Sequence, residues 1–304
     1  MNKKQKVLII VGPTSSGKSA LAVELARRFD GEIISADSRQ VYRGLDIGTG
    51  KITKREMKGV PHHLLDIASP KKDFSADDFV RHGRTAIEDI SSRGKLPIVT
   101  GGTGFYIDAL VGRIVLPNVP PNKKLRALLE NKSTTELFAM LQKSDPRRAR
   151  NIDRHNKRRL IRALEIVDSI GRVPMIDLRN QSLQFPYFDV CWLGVALQSK
   201  VLERRIHERL THRIRLGMIA EAKRLHKQGL SYKRMEELGL EYRALASLLQ
   251  NKTTRPQMIE KLNRDIRRYA KRQLTYWKRN NDILWFKPSE RQRMSKTVRE
   301  WLKK

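Results

Sequence analysis

Cysteine is almost missing from this chain, with one residue, Cys191, in 304. A single thiol excludes a disulfide framework and any Cys-rich zinc or iron–sulfur site, and it fits a reducing compartment. The seven histidines are scattered and supply no metal cage. Long apolar runs are missing too: none approaches the roughly 20 residues that cross a bilayer, and the opening MNKKQKVLIIV lacks the small-residue cleavage site of a signal peptide. A cytoplasmic protein without membrane association is therefore expected. Negative charge is scarce, with 32 Asp plus Glu against 63 Lys plus Arg, a net charge of +31. That imbalance calls for an anionic partner.

The charge is segregated. Residues 1–112 carry 18 basic and 13 acidic side chains, net +5, and residues 113–304 carry 45 and 19, net +26. Such segregation is the electrostatic footprint of a nucleic-acid binder rather than a device for solubility. Two stretches concentrate it. Arg147 to Arg162 holds eight basic residues in sixteen with Asp153 alone acidic, and Arg264 to Arg279 holds seven in sixteen with Tyr269, Tyr276 and Trp277 interleaved. Basic residues among aromatics suit phosphate contact combined with base stacking; a solvated charged face is the other reading of any one such residue.

Short buried-type strands alternate with helices in the first part, the pattern of a parallel α/β sheet. Strands are expected at Lys6 to Val11, Glu32 to Ala36 and Leu96 to Thr100, and a later one at Phe188 to Ala196. Leu21, Leu25 and Phe29 recur every four residues and predict a helix over Ser19 to Phe29. Ser75-Ala76-Asp77-Asp78 resembles a capping box that opens a helix through Ile90, with Gly94 after its end. Beyond the Pro-rich joint Leu116 to Pro121 the chain turns polar and helix-rich as far as Gln184, which reads as an insertion between strands. From Ser199 onward it is mostly amphipathic helix, with a terminal helix after Pro288.

Gly12-Pro13-Thr14-Ser15-Ser16-Gly17-Lys18-Ser19 matches the phosphate-binding loop G-x-x-x-x-G-K-[ST] in full, between a predicted strand and a predicted helix. Glycines let backbone N–H groups turn toward phosphate oxygens, Lys18 neutralises charge and Ser19 can ligate Mg²⁺. An ATPase or GTPase of this type places an Asp at the end of another strand to hold the metal. Here Leu96 to Thr100 ends in Gly101-Gly102-Thr103-Gly104, which weakens the hydrolytic reading. The second strand ends in Asp37-Ser38-Arg39-Gln40, so Asp37 should face the same crevice as Lys18. A turn-former or a helix cap is the alternative role for Asp37.

In combination these segments resemble the tRNA dimethylallyltransferases over nearly the whole chain. The resemblance rests on GPTSSGKS (Gly12 to Ser19), DSRQVYRGLDIGT (Asp37 to Thr49), PHHLLD (Pro61 to Asp66), GGTGFY (Gly101 to Tyr106), RRLIRALE (Arg158 to Glu165), LGLEYR (Leu238 to Arg243) and AKRQLTYW (Ala270 to Trp277). It implies an α/β fold with a P-loop core, residues 1–112 and 186–304, and a helical tRNA-binding insertion, 113–185. It implies transfer of a dimethylallyl group from dimethylallyl diphosphate to N6 of the adenosine 3′ of the anticodon, with Mg²⁺ as cofactor; apart from the resemblance, a monomer is expected. An ATP-dependent kinase or NTPase acting on RNA is the rival, and a noncatalytic RNA-binding protein a second.

The resemblance also implies roles. Asp37, Thr103 and Arg209 are expected to be catalytic, Gly12 to Ser19 to hold the diphosphate, and Ser19 to ligate the metal. Contacts to the tRNA anticodon stem-loop are expected from Asp37, Ser38, Arg39, Gln40, Thr103, Arg126, Arg158, Arg159, Leu160, Ile161, Arg162, Leu238, Gly239, Leu240, Glu241, Tyr242, Arg243, Arg272 and Gln273. Arg158 stands where the family often has Gln, and Gly239-Leu240-Glu241-Tyr242 replaces a commoner Ile-Gly-Tyr wording. His62 and His63 are expected to be structural.

Overall fold

The structure, a computed structural model, describes residues 4–174 and 188–304. The chain divides into two compact units, Met1–Val111 with Phe185–Lys304, and Gly112–Gln184. The junction expected near residues 184–186 lies outside the described residues.

The first unit is built on six parallel strands: β1 (Gln5–Val11), β2 (Gly31–Ser35), β3 (His62–His63), β4 (Leu96–Thr100), β5 (Phe188–Val195) and β6 (Leu284–Phe286), in the order β3-β2-β4-β1-β5-β6. The central β1 pairs with β4 (Leu8 beside Ile98) and with β5 (Leu8 beside Cys191). Its apolar run is continuous because both faces are covered. Val7, Ile9 and Val11 pack with Phe79, Ile87 and Ile90 of helix Ala76–Ser92 and with Trp277. Leu8 and Ile10 pack on the opposite face with Leu21 and Leu25 of helix Lys18–Arg28 and with Met294 and Val298 of the terminal helix. Period-two alternation along one strand thus feeds two separate cores.

Ser75 closes the expected capping box with Asp78, and Cys191 is a buried core thiol. The edge strands β3 and β6 add to the expected set. Helices from Ser199 to Trp277 enclose a third core of Leu202, Ile206, Leu210, Met235, Leu245 and Leu262, which also takes in Val41, Tyr42 and Leu45 from the segment after β2. The amphipathic pattern from Leu202 to Ala270 therefore has a core of its own to face, apart from the two that flank the sheet.

The second unit likewise has its own core. Helices Lys123–Glu130, Thr134–Ser144, Pro146–Ala149 and Lys157–Ile170 bury Leu129, Leu137, Leu141, Leu160 and Leu164 together. No helix among the described residues is long and apolar enough to cross a membrane.

Candidate active site

A cavity of about 1300 Å³ opens at the carboxyl ends of β1, β2 and β4, where ligands of open α/β sheets bind. Its wall includes Thr14, Lys18, Asp37, Gly102, Arg209 and Gln273, so residues far apart in sequence meet in one crevice.

The loop after β1 forms the floor. Gly12 has φ +151°, and a Cβ there would lie 2.7 Å from the carbonyl oxygen of Val195, so only glycine fits against β5. Gly17, at φ +93°, caps helix Lys18–Arg28 without a side chain, which leaves the first-turn N–H groups with no side-chain cap. Lys18 donates to the carbonyl of Pro13 at 3.3 Å. Burial and the neighbouring Arg209 pull the Lys18 ammonium down to about 8, with Asp37 opposing them. A cation held in this state gains from an incoming anion. Ser16 Oγ is buried without a partner among the described residues, and Ser19 is exposed at the helix start.

Asp37 follows β2 and folds back on its own turn. Its Oδ1 accepts from the backbone N–H groups of Arg39 at 2.9 Å and Gln40 at 3.3 Å. Both bonds fall on one oxygen, and the position of a Cβ on Gly102 would lie 3.8 Å from the other, Oδ2. The turn and the chemical role are therefore compatible. Thr103 Oγ1 accepts from the Ser38 N–H at 3.0 Å, and the Thr103 N–H donates to the Ala36 carbonyl at 3.1 Å, which ties the loop after β4 to the loop after β2.

Arg209 comes from helix Ser199–Arg215 and donates to the Gly50 carbonyl at 2.9 Å. Burial and Arg213 lower its affinity for the proton. One turn earlier, Arg205 lines the same cavity, and its Nη1 lies 3.8 Å from where a Cβ on Gly17 would stand. No hydrogen bond or ion pair engages Arg205 among the described residues. Its i, i+4 spacing from Arg209 was the available signal, hidden in the run Glu203 to Arg215, where basic residues sit on every side of the helix.

Gln273 is buried and joins two loops. Its Oε1 accepts from the Thr14 N–H at 2.8 Å, and its Nε2 donates to the Gly102 carbonyl at 2.8 Å. Arg272, next to it, places its guanidinium 5.8 Å from the centre of the Tyr269 ring. Leu240 and Glu241 line the cavity, Arg39 packs at Gly239, and Arg243 is exposed. Leu238 and Tyr242 are buried, so their side chains support the wall rather than face a ligand.

In the second unit, Arg158 and Arg159 are exposed at the start of helix Lys157–Ile170, whereas Leu160 and Ile161 are core residues. Arg126 and Arg162 both hold the buried carboxylate of Glu165. Burial would raise the Glu165 carboxyl, but the two guanidinium groups and the Asn122 N–H hold it at about 2. These two arginines are thus engaged in the unit's own structure, a tertiary pairing that a basic stretch in sequence does not display. His63 meets the buried Glu32 at 2.8 Å, the structural role expected for it.

The family model described as IPP transferase matches residues 40–280. The chain is 41% identical to the tRNA dimethylallyltransferase of Thermomicrobium roseum, with 99% of this chain and 94% of that protein covered. It is 41% identical to the tRNA dimethylallyltransferase of Anoxybacillus flavithermus, covering 93% and 90%. Among solved structures, the tRNA isopentenylpyrophosphate transferase of Bacillus halodurans aligns with a TM-score of 0.74 at 35% identity, over 99% of this chain and 97% of that one. A eukaryotic dimethylallyltransferase acting on tRNA aligns with a TM-score of 0.80 at 28% identity, over 97% and 77%. Likeness of this extent, running through both the phosphate loop and the helical part, shows that the chain belongs to the IPP transferase family of tRNA dimethylallyltransferases.

Proposed function

We propose that the protein transfers a dimethylallyl group from dimethylallyl diphosphate to N6 of the adenosine 3′ of the anticodon in tRNA. The observation that carries this reading is the presence of Lys18 and Asp37 in one cavity, a phosphate-loop cation and a carboxylate. The exocyclic amine of adenine is a poor nucleophile because its lone pair is delocalised into the ring. A carboxylate that accepts its proton offsets that weakness. As the N6–C1 bond forms, the C1–O bond breaks, its electron pair leaves with the diphosphate, and the N6 proton passes to Asp37. Lys18, Arg209 and the loop N–H groups stabilise the departing charge from fixed positions. Thr103 fixes the Asp37 turn through Ser38.

Mg²⁺ suits the donor set. No group of three or more His, Cys, Asp or Glu is arranged for a metal among the described residues, and Ser19 offers one hydroxyl. Magnesium bound mainly by substrate phosphate oxygens and water needs no more from the protein. When bound it would supply charge neutralisation on the diphosphate, and Ser19 would be its protein ligand.

The target base must leave its stack before N6 can be alkylated, and Asp37 to Gln40, in the cavity wall, are assigned to read the extruded base. The exposed Arg158 and Arg159 and the remaining basic surface of the second unit are assigned to tRNA phosphates. Mass spectrometry of nucleosides from tRNA incubated with the protein, Mg²⁺ and dimethylallyl diphosphate tests the reading. Prenylated adenosine dependent on both substrates supports it; RNA-stimulated ATP cleavage without prenylated adenosine overturns it.

A further inference from the structure

Glu221 lies in helix Met218–Lys227 and is 1% exposed. Its carboxylate accepts four hydrogen bonds. Oε2 takes the backbone N–H groups of Asp46 at 3.0 Å and Ile47 at 2.8 Å; Oε1 takes the Gly48 N–H at 2.8 Å and the Tyr242 hydroxyl at 2.7 Å. All four partners are donors, so an ionised carboxylate satisfies them and an amide, which has one acceptor oxygen, does not. The contact with Tyr242 is close enough to dictate sequence. A Cβ on Gly48 would stand 2.7 Å from the Tyr242 oxygen.

The far side of the same loop holds cavity arginines. The Gly48 carbonyl accepts from Arg213 at 2.8 Å, and the Gly50 carbonyl accepts from Arg209 at 2.9 Å. Arg213 also pairs with Glu241. A continuous set of hydrogen bonds therefore runs from Glu221 through residues 46–50 to Arg209, a guanidinium in the wall of the cavity that also holds Lys18.

We infer that Glu221 is a positioning residue for the transfer reaction: with Tyr242, it locks the Asp46–Gly50 loop and thereby sets Arg209 against the leaving diphosphate. This rests on the reading of the cavity as the prenyl-transfer site. Glu221 touches no substrate; it acts through backbone carbonyls. The LGLEYR segment, matched in sequence to tRNA contact, then contributes Tyr242 to the catalytic frame from inside.

A double-mutant cycle tests it, since residues that act through one another are not additive. Single-turnover prenyl transfer is measured for wild type, Glu221→Gln, Tyr242→Phe and Arg209→Ala, and for each of the first two combined with Arg209→Ala, at temperatures well below every melting midpoint. Glu221→Gln is expected to slow transfer about tenfold, and Tyr242→Phe about threefold, with tRNA affinity unchanged; in the Arg209→Ala background both effects should nearly vanish. Full effects persisting beside Arg209→Ala would overturn the proposal, as would wild-type rates in the single variants. Should Glu221→Gln fail to fold, the Tyr242→Phe cycle decides by the same criteria. Wild type that forms no prenylated adenosine would instead refute the reading of the cavity itself.

Discussion

Gln273 holds the phosphate loop through Thr14, accepting its backbone N–H at 2.8 Å while the same amide group donates to Gly102. A residue that accepts from one loop and donates to another cannot be replaced by a carboxylate of the same shape. Gln273→Glu keeps the acceptor for Thr14, loses the donor to Gly102 and adds a negative charge at the cavity wall. Inorganic diphosphate affinity is expected to fall about tenfold, as measured by calorimetry, and an unchanged affinity would remove Gln273 from the frame of the phosphate loop.

Lys18 gives the site a pH dependence. Its free-enzyme value is lowered to about 8 by burial and by Arg209, and an anionic donor favours the protonated form. Donor affinity is therefore full below that value and declines as pH rises through it. Lys18→Arg, which does not titrate in this range, should lose the decline near pH 8 in kcat/KM for the donor. The same fall in both proteins would assign it to another group.

Arg205 faces the cavity beside Gly17 with no partner among the described residues. Arg205→Ala should weaken inorganic diphosphate binding about tenfold, with the melting temperature unchanged, because no internal bond is lost. Equal binding by wild type and variant would leave Arg205 a solvated side chain.

Arg159 and Arg162 are three residues apart on one helix and should behave differently. Arg159→Ala is expected to lower the slope of log tRNA affinity against log salt by about one and to leave stability alone. Arg162→Ala removes a partner of the buried Glu165 and should lower the melting temperature. Glu165 also makes stability acid-sensitive. Its folded-state value of about 2 lies below its ordinary 4.5, so its contribution is present above pH 4.5 and is lost as pH falls toward 2. Acid unfolding followed by circular dichroism should show this loss in wild type and not in Glu165→Gln.

The phosphate loop, the capped helix at Ser75 and the central strands were legible because each is specified by neighbouring residues. Motif spacing, caps and apolar runs are local signals. The two-residue β3 and three-residue β6 were not, since pairing with β2 and β5 makes them strands and no internal pattern announces it. Asp37 and Lys18 could be placed in one crevice from parallel-sheet logic alone. Tyr242 could not be recognised as buried, because its partner Glu221 sits in another helix, nor could Arg126 be recognised as tied to Glu165, 39 residues away. Charge in sequence does not distinguish a side chain facing RNA from one neutralised inside the fold.

In the proposed transfer, Asp37 takes the N6 proton while the phosphate loop holds the leaving group. The most direct test of this is single-turnover formation of N6-dimethylallyladenosine by wild type and Asp37→Asn, with tRNA and diphosphate binding measured in parallel. Asparagine keeps the Oδ1 acceptor for Arg39 and Gln40 but cannot take the proton. The predicted result is a rate lower by about 10²- to 10⁴-fold with both affinities nearly unchanged. A wild-type rate in Asp37→Asn would contradict it.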